Sequence, residues 1–140
     1  MVLLGVALTG CLSRGAVLAE RIDAGRPLED PGPDAYLVWH DSRGWHLRAR
    51  SDVLRTFHGR IETWSVSRVR SLAVPRGAVL ASADDIEFTF QTRTGEAGFD
   101  WNGTGCQGLE LYVDGESRPL RVFAGRAGAS PTRVPFVLCP

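Results

Sequence analysis

The chain contains no lysine: all 16 of its basic residues are arginine. Asparagine occurs once, at Asn102, and isoleucine three times. Such a bias is the mark of a GC-rich genome, not of a mechanism, and suggests a bacterial source. Arginines and acids cancel to a net charge of zero, which excludes a globally basic nucleic-acid binder. No apolar run approaches the roughly 20 residues that a membrane-spanning helix needs. There is no Gly-x-Ser-x-Gly element to present a nucleophile, no glycine-rich phosphate loop and no metal-type cysteine spacing. Beyond Asp34 no stretch carries a helical period.

What remains is a strand-forming sequence of one-domain size. The chain has 140 residues, 44% of them apolar, which suits one domain with one core. Residues 36–50 read as a hairpin about Asp41-Ser42-Arg43-Gly44, with Asp and Gly at the turn positions they favour. A register that separates apolar from polar faces sets Trp39 opposite Leu47 and Leu37 opposite Ala49. Residues 54–63 follow, with Phe57, Gly59 and Ile61 on one face, and residues 64–74 continue less regularly through Val66 and Val69. Residues 85–92 alternate cleanly, with Ile86, Phe88 and Phe90 inward. Residues 98–101 form a short strand, and residues 109–113 bury Leu109, Leu111 and Val113. Asp114-Gly115 marks a turn after which residues 119–124 return, and residues 134–138 close the sheet. The expectation is an all-β fold of about eight or nine short antiparallel strands, a small β-sandwich of jelly-roll type or a barrel.

Charge is unevenly distributed. Between Arg43 and Arg76 eight arginines face only Asp52 and Glu62, whereas between Gly77 and Glu116 eight acids face only Arg93. Basic and acidic strands lying side by side would account for this. The other reading is a basic face that meets an anionic lipid or glycan surface.

The amino-terminal segment carries an address. Residues 2–8 are almost wholly apolar and lead into Leu8-Thr9-Gly10-Cys11. This tetrad resembles the lipobox of bacterial lipoproteins. The resemblance covers the first 11 residues and implies that Cys11 receives a diacylglyceryl group after cleavage before it. Leu12, in place of Asp, implies outer-membrane sorting in a diderm cell. Signal peptides open with Lys or Arg, and Met1 is followed directly by Val2. Either translation starts upstream, or the segment is no signal. The expected organisation is a signal-like segment over 1–10, a lipid-anchored flexible tether over 11–34 and a β-domain over 35–140. Arg26-Pro27 and Asp30-Pro31-Gly32-Pro33 oppose regular structure in the tether, although a short helix could form over 15–24.

The three cysteines are Cys11, Cys106 and Cys139. With Cys11 acylated, Cys106 and Cys139 are left to pair outside the cytoplasm. Their bridge would close a loop of about 33 residues, worth ~3–4 kcal/mol in the chain-entropy model.

Candidate chemistry centres on the hairpin. In the chosen register His40 and His46 are cross-strand neighbours and could grip a transition metal, which needs further ligands. Asp84, Asp85, Asp100 and Asn102 offer oxygen ligands without the spacing of a calcium loop. Trp64 and Trp101 are candidate contacts for a sugar ring, whereas Trp39 and Trp45 belong to the core. His40, His46, Trp64 and Trp101 are therefore the candidate ligand contacts. No cofactor and no catalytic residue is assigned. The leading expectation is a lipid-anchored cell-envelope protein, palmitate-labelled at Cys11, whose β-domain is a non-enzymatic binding or structural module for an envelope protein or glycan. The alternatives are a metal-dependent enzyme or metal-binding protein built on His40 and His46, and a cytosolic protein with free thiols.

Overall fold

The computed structural model describes residues 19–21, 26, 32, 35–93, 95–114, 121–124, 129–130 and 136–140. Alternation accounts for the strongest strands. In β7 (Asp85–Thr92) Ile86, Phe88 and Phe90 point inward, and in β9 (Gln107–Val113) Leu109, Leu111 and Val113 do. Between them β4 (Arg55–Glu62) adds Phe57 and Ile61. One buried row per strand fixes the register, because a slip by one residue would expose it. With β12 (Phe136–Cys139) beside β9 and β6 (Ala78–Ala81) beside β7, these strands form an antiparallel layer ordered β12-β9-β4-β7-β6.

The second antiparallel layer contains β2 (Ala35–Asp41), β3 (Gly44–Arg50), β8 (Glu96–Trp101) and β5 (Val69–Ala73), in the order β2-β3-β8-β5. Short flanking strands extend both layers. β1 (Ala19–Arg21) runs parallel to β12, β10 (Arg121–Ala124) runs parallel to β2, and β11 (Ala129–Ser130) pairs with β10. The fold is an open β-sandwich and not a closed barrel. Among the described residues its two antiparallel layers hold five and four strands, nine in all, as expected. Between β3 and β9 the chain changes layer at every step except from β6 to β7, an alternation of jelly-roll kind.

The core lies between the layers. Trp45 and Trp101 stack with ring centroids 6.0 Å apart, and Phe99 and Phe88 continue the cluster. The Tyr36 hydroxyl crosses from one layer to the other and donates to the Tyr112 carbonyl at 2.8 Å. Burial pushes the phenol pKa well up, although its backbone hydrogen bonds oppose this. Cys106 and Cys139 form a disulfide across a sequence separation of 33, which ties the end of β12 to the segment before β9.

Four expectations are corrected. The hairpin turns at Asp41 and Gly44 as expected, but Trp39 lies opposite His46 and Val38 opposite Leu47. The reason is that β2 and β3 are buried on both faces, so no solvent-exposed polar face exists to choose the register. After Asp114 the chain does not return beside β9, since β10 joins β2 in the other layer. The expected tether contributes β1, and Ala19–Arg21 are strand where a helix was considered. Finally, β6 has no alternation in its Ala-Val-Leu-Ala sequence and was not anticipated; as an edge strand it leaves Leu80 67% exposed.

Candidate functional site

The observed hairpin register builds a polar row across the outer face of the second layer. Trp39 pairs with His46, His46 with Asp100, and Asp100 with Arg70, so these four side chains follow one another over β2, β3, β8 and β5. His46 is only 5% exposed. Its Nδ1 lies 2.8 Å from Asp100 Oδ1 and its Nε2 2.9 Å from Asp41 Oδ1. Trp39 stacks on the imidazole at 4.7 Å, and the guanidinium groups of Arg48 and Arg26 each lie 5.3 Å from the Trp39 ring centroid, within cation–π range.

Arg48 is buried and fully engaged. It pairs with Asp100 at 2.7 Å and donates to the carbonyls of Leu47 and Phe99. Arg70 reaches Asp100 Oδ2 at 3.2 Å with its side chain 71% exposed. Arg26 pairs with Glu96 on β8. Burial works against the charge of Asp100, but hydrogen bonds from His46 and Arg48 outweigh it and hold the carboxyl below the usual range. Asp41 behaves alike: burial raises it, and bonds from His46 and the Arg43 amide bring it below its ordinary value. Burial is also the main cause that lowers His40, with His46 adding to it and Asp41 opposing.

This cluster is saturated. An imidazole with a carboxylate at each nitrogen keeps no position for a metal or a substrate. His40 faces the opposite side of the sheet, against Trp45 at 4.9 Å. The two histidines are therefore not brought together, and the register that made them neighbours is corrected. Among the described residues no group of three or more His, Cys, Asp or Glu is placed to hold a metal ion. The oxygen ligands considered for calcium are dispersed: Asp85 pairs with Arg60, Asp84 accepts from Ser82, and Asp100 belongs to the His46 cluster.

Of the indole candidates, Trp101 is only 2% exposed and donates through Nε1 to Gln107 Oε1 at 2.9 Å. It is a core residue, not a stacking surface for a ligand. Trp64 is 41% exposed and keeps that possibility. Cys11 lies outside the described residues. Nothing local in the sequence marks Asp41, Arg48, Asp100 and Arg70 as a unit, because Asp100 is 54 positions from His46 and 30 from Arg70. The complementary blocks of charge were the one available signal. Arg48, Arg55, Arg60 and Arg70 indeed pair with Asp100, Asp114 and Asp85 from the acidic block.

Two concavities adjoin these features. One, of about 360 Å³, lies on the outer face of the first layer and is lined by His58, Arg60, Glu87, Tyr112 and Leu80 among others. His58 stacks on Tyr112 there at 5.3 Å. The other, also about 360 Å³, lies between the β2–β3 turn and the segment entering β5, with Arg43, Arg68 and Arg70 around it. Comparison with known proteins finds no matching family model, no similar curated protein and no similar solved structure.

Proposed function

We propose that this chain is a lipid-anchored protein of the bacterial cell envelope, with lipid on Cys11 and a non-enzymatic β-sandwich that binds an envelope protein or glycan. The observation that carries the reading is the Cys106–Cys139 disulfide. Structural disulfides persist in oxidising compartments, and of the three cysteines in the sequence only Cys11 is left outside this bond. Cys11 is also the residue at the lipobox position. A binding role is favoured over catalysis because the densest polar cluster is closed: His46 is buried and both of its nitrogens are held by carboxylates.

The test is growth of a producing bacterium with labelled palmitate, followed by membrane fractionation and thiol alkylation. Label should enter the membrane-bound chain, vanish in Cys11→Ser, and leave Cys106 and Cys139 unreactive before reduction. An intact, unmodified leading peptide by mass spectrometry, with alkylatable thiols at 106 and 139, would return the chain to the cytoplasm.

A further inference from the structure

The cavity between the β2–β3 turn and the segment entering β5 is a cationic recess built from two loops that are fixed against each other. Gly44 sits at φ +113°, and a Cβ there would come within 2.7 Å of the Trp101 carbonyl oxygen. Only glycine allows the hairpin tip this close to the end of β8. Asp41 accepts from the Arg43 amide at 2.8 Å, which sets where Arg43 leaves the tip. On the other side, the lone asparagine of the chain organises the loop. Asn102 Oδ1 accepts from the amides of Ser67 and Arg68 at 3.0 and 3.1 Å, and its Nδ2 donates to Ser67 Oγ at 2.8 Å. The backbone at Arg68 is held by that amide.

The charge around the recess is unbalanced. Arg43 and Arg68 are exposed, and among the described residues neither side chain has an acidic partner. Asp100, among the described residues the one acid lining the recess, is already shared by Arg48 and His46, and Arg70 meets it through a single contact at 3.2 Å. Three guanidinium groups thus rim a space of about 360 Å³ with little opposing charge. Guanidinium is the side-chain group best matched to the forked oxygens of phosphate and sulfate. A water occupies about 30 Å³, so the recess exceeds what a bare oxyanion fills and falls in the size range of small-molecule sites.

We propose that this recess binds a phosphate or sulfate ester carried on a small polar body, such as a sugar, with Arg43, Arg68 and Arg70 as its anion contacts. The concave shape favours a single inserted group over a flat charged surface. The inference specifies the ligand of the proposed binding module but does not depend on the lipid at Cys11, so unlipidated chain can fail one test and pass the other.

The experiment is a calorimetric titration of the oxidised full chain with glucose 6-phosphate, inorganic phosphate and glucose. Sedimentation with vesicles of phosphatidylcholine containing phosphatidylglycerol is run in parallel. The sugar phosphate should bind more tightly than phosphate, glucose should not bind, and added salt should weaken the complex. Arg68→Ala and Arg43→Ala should each weaken it about tenfold or more while leaving the melting temperature unchanged, because among the described residues neither side chain has an acidic partner to lose. No binding of either phosphate compound, or binding unchanged in the double variant Arg43→Ala/Arg68→Ala, overturns the proposal. So does arginine-dependent sedimentation with the anionic vesicles in the absence of sugar-phosphate binding, which would make the recess part of a membrane-facing surface.

Discussion

The two outer faces of the sandwich solve the same problem in opposite ways. On the first layer, outward side chains of β4, β7 and β9 remain partly solvated, and their charges pair at the surface, as Arg60 does with Glu62 and Asp85. On the second layer, the outward side chains Leu37, Trp39, His46 and Arg48 of β2 and β3 are buried as well as the inward ones. Apolar and stacked groups such as Leu37 and Trp39 cover that face, and the polar groups trapped there must satisfy one another. His46, Asp41, Asp100 and Arg48 do so. His58 on the open face, by contrast, stacks on Tyr112 and meets the Asp114 carbonyl at 2.5 Å.

The contrast predicts a hierarchy of mutational effects. The largest should come from Asp100→Ala, which leaves Arg48 and His46 without their shared carboxylate. Removing one partner of a buried ion pair typically costs about 3–5 kcal/mol, and chemical denaturation should show a loss near the lower end because Asp100 keeps 14% side-chain exposure. A loss under about 1 kcal/mol, the range of surface pairs, would mean that the two faces do not differ.

Opening the disulfide probes a different edge of the molecule. Cys106→Ser should destabilise by ~3–4 kcal/mol under oxidising conditions and have little effect once the wild type is also reduced. An equal loss in reductant would point to packing of the Cys106 side chain against β12 instead.

Acid separates the faces further. The folded carboxyls of Asp41 and Asp100 lie below their ordinary values, whereas an unfolded Asp titrates near about 3.9. Their stabilisation is thus fully present above that pH and is lost as the pH falls through the folded values. The thermal midpoint should drop on acidification below about pH 4, and the drop should be shallower in Asp100→Asn. Parallel curves for wild type and variant would remove the network from the acid response.

Smaller effects complete the series. Tyr36→Phe removes the hydroxyl that bridges the layers to the Tyr112 carbonyl and should cost about 1 kcal/mol. Arg60→Ala on the open face should cost less than about 1 kcal/mol by the same denaturation.

The same contrast explains which parts of the molecule were legible in its sequence. β7 and β9 alternate because one side of each meets solvent, and Ile86, Phe88, Phe90, Leu109, Leu111 and Val113 point where their period predicts. The hairpin has no such period. Its turn was visible in Asp41 and Gly44, but the face assignment assumed one polar side, and the structure buries both. That single assumption joined His40 to His46 and hid the row from Trp39 to Arg70. The disulfide followed from counting cysteines. The parallel seats of β1 and β10 did not follow from anything local, because short strands at the rim are placed by the partners they find and not by their own pattern.

The register of the hairpin is the direct test of this account. In solution, nuclear Overhauser contacts should join the Trp39 and His46 rings across β2 and β3, with Val38 opposite Leu47. Contacts that instead set Trp39 opposite Leu47, with His40 and His46 side by side on a solvated face, would contradict it.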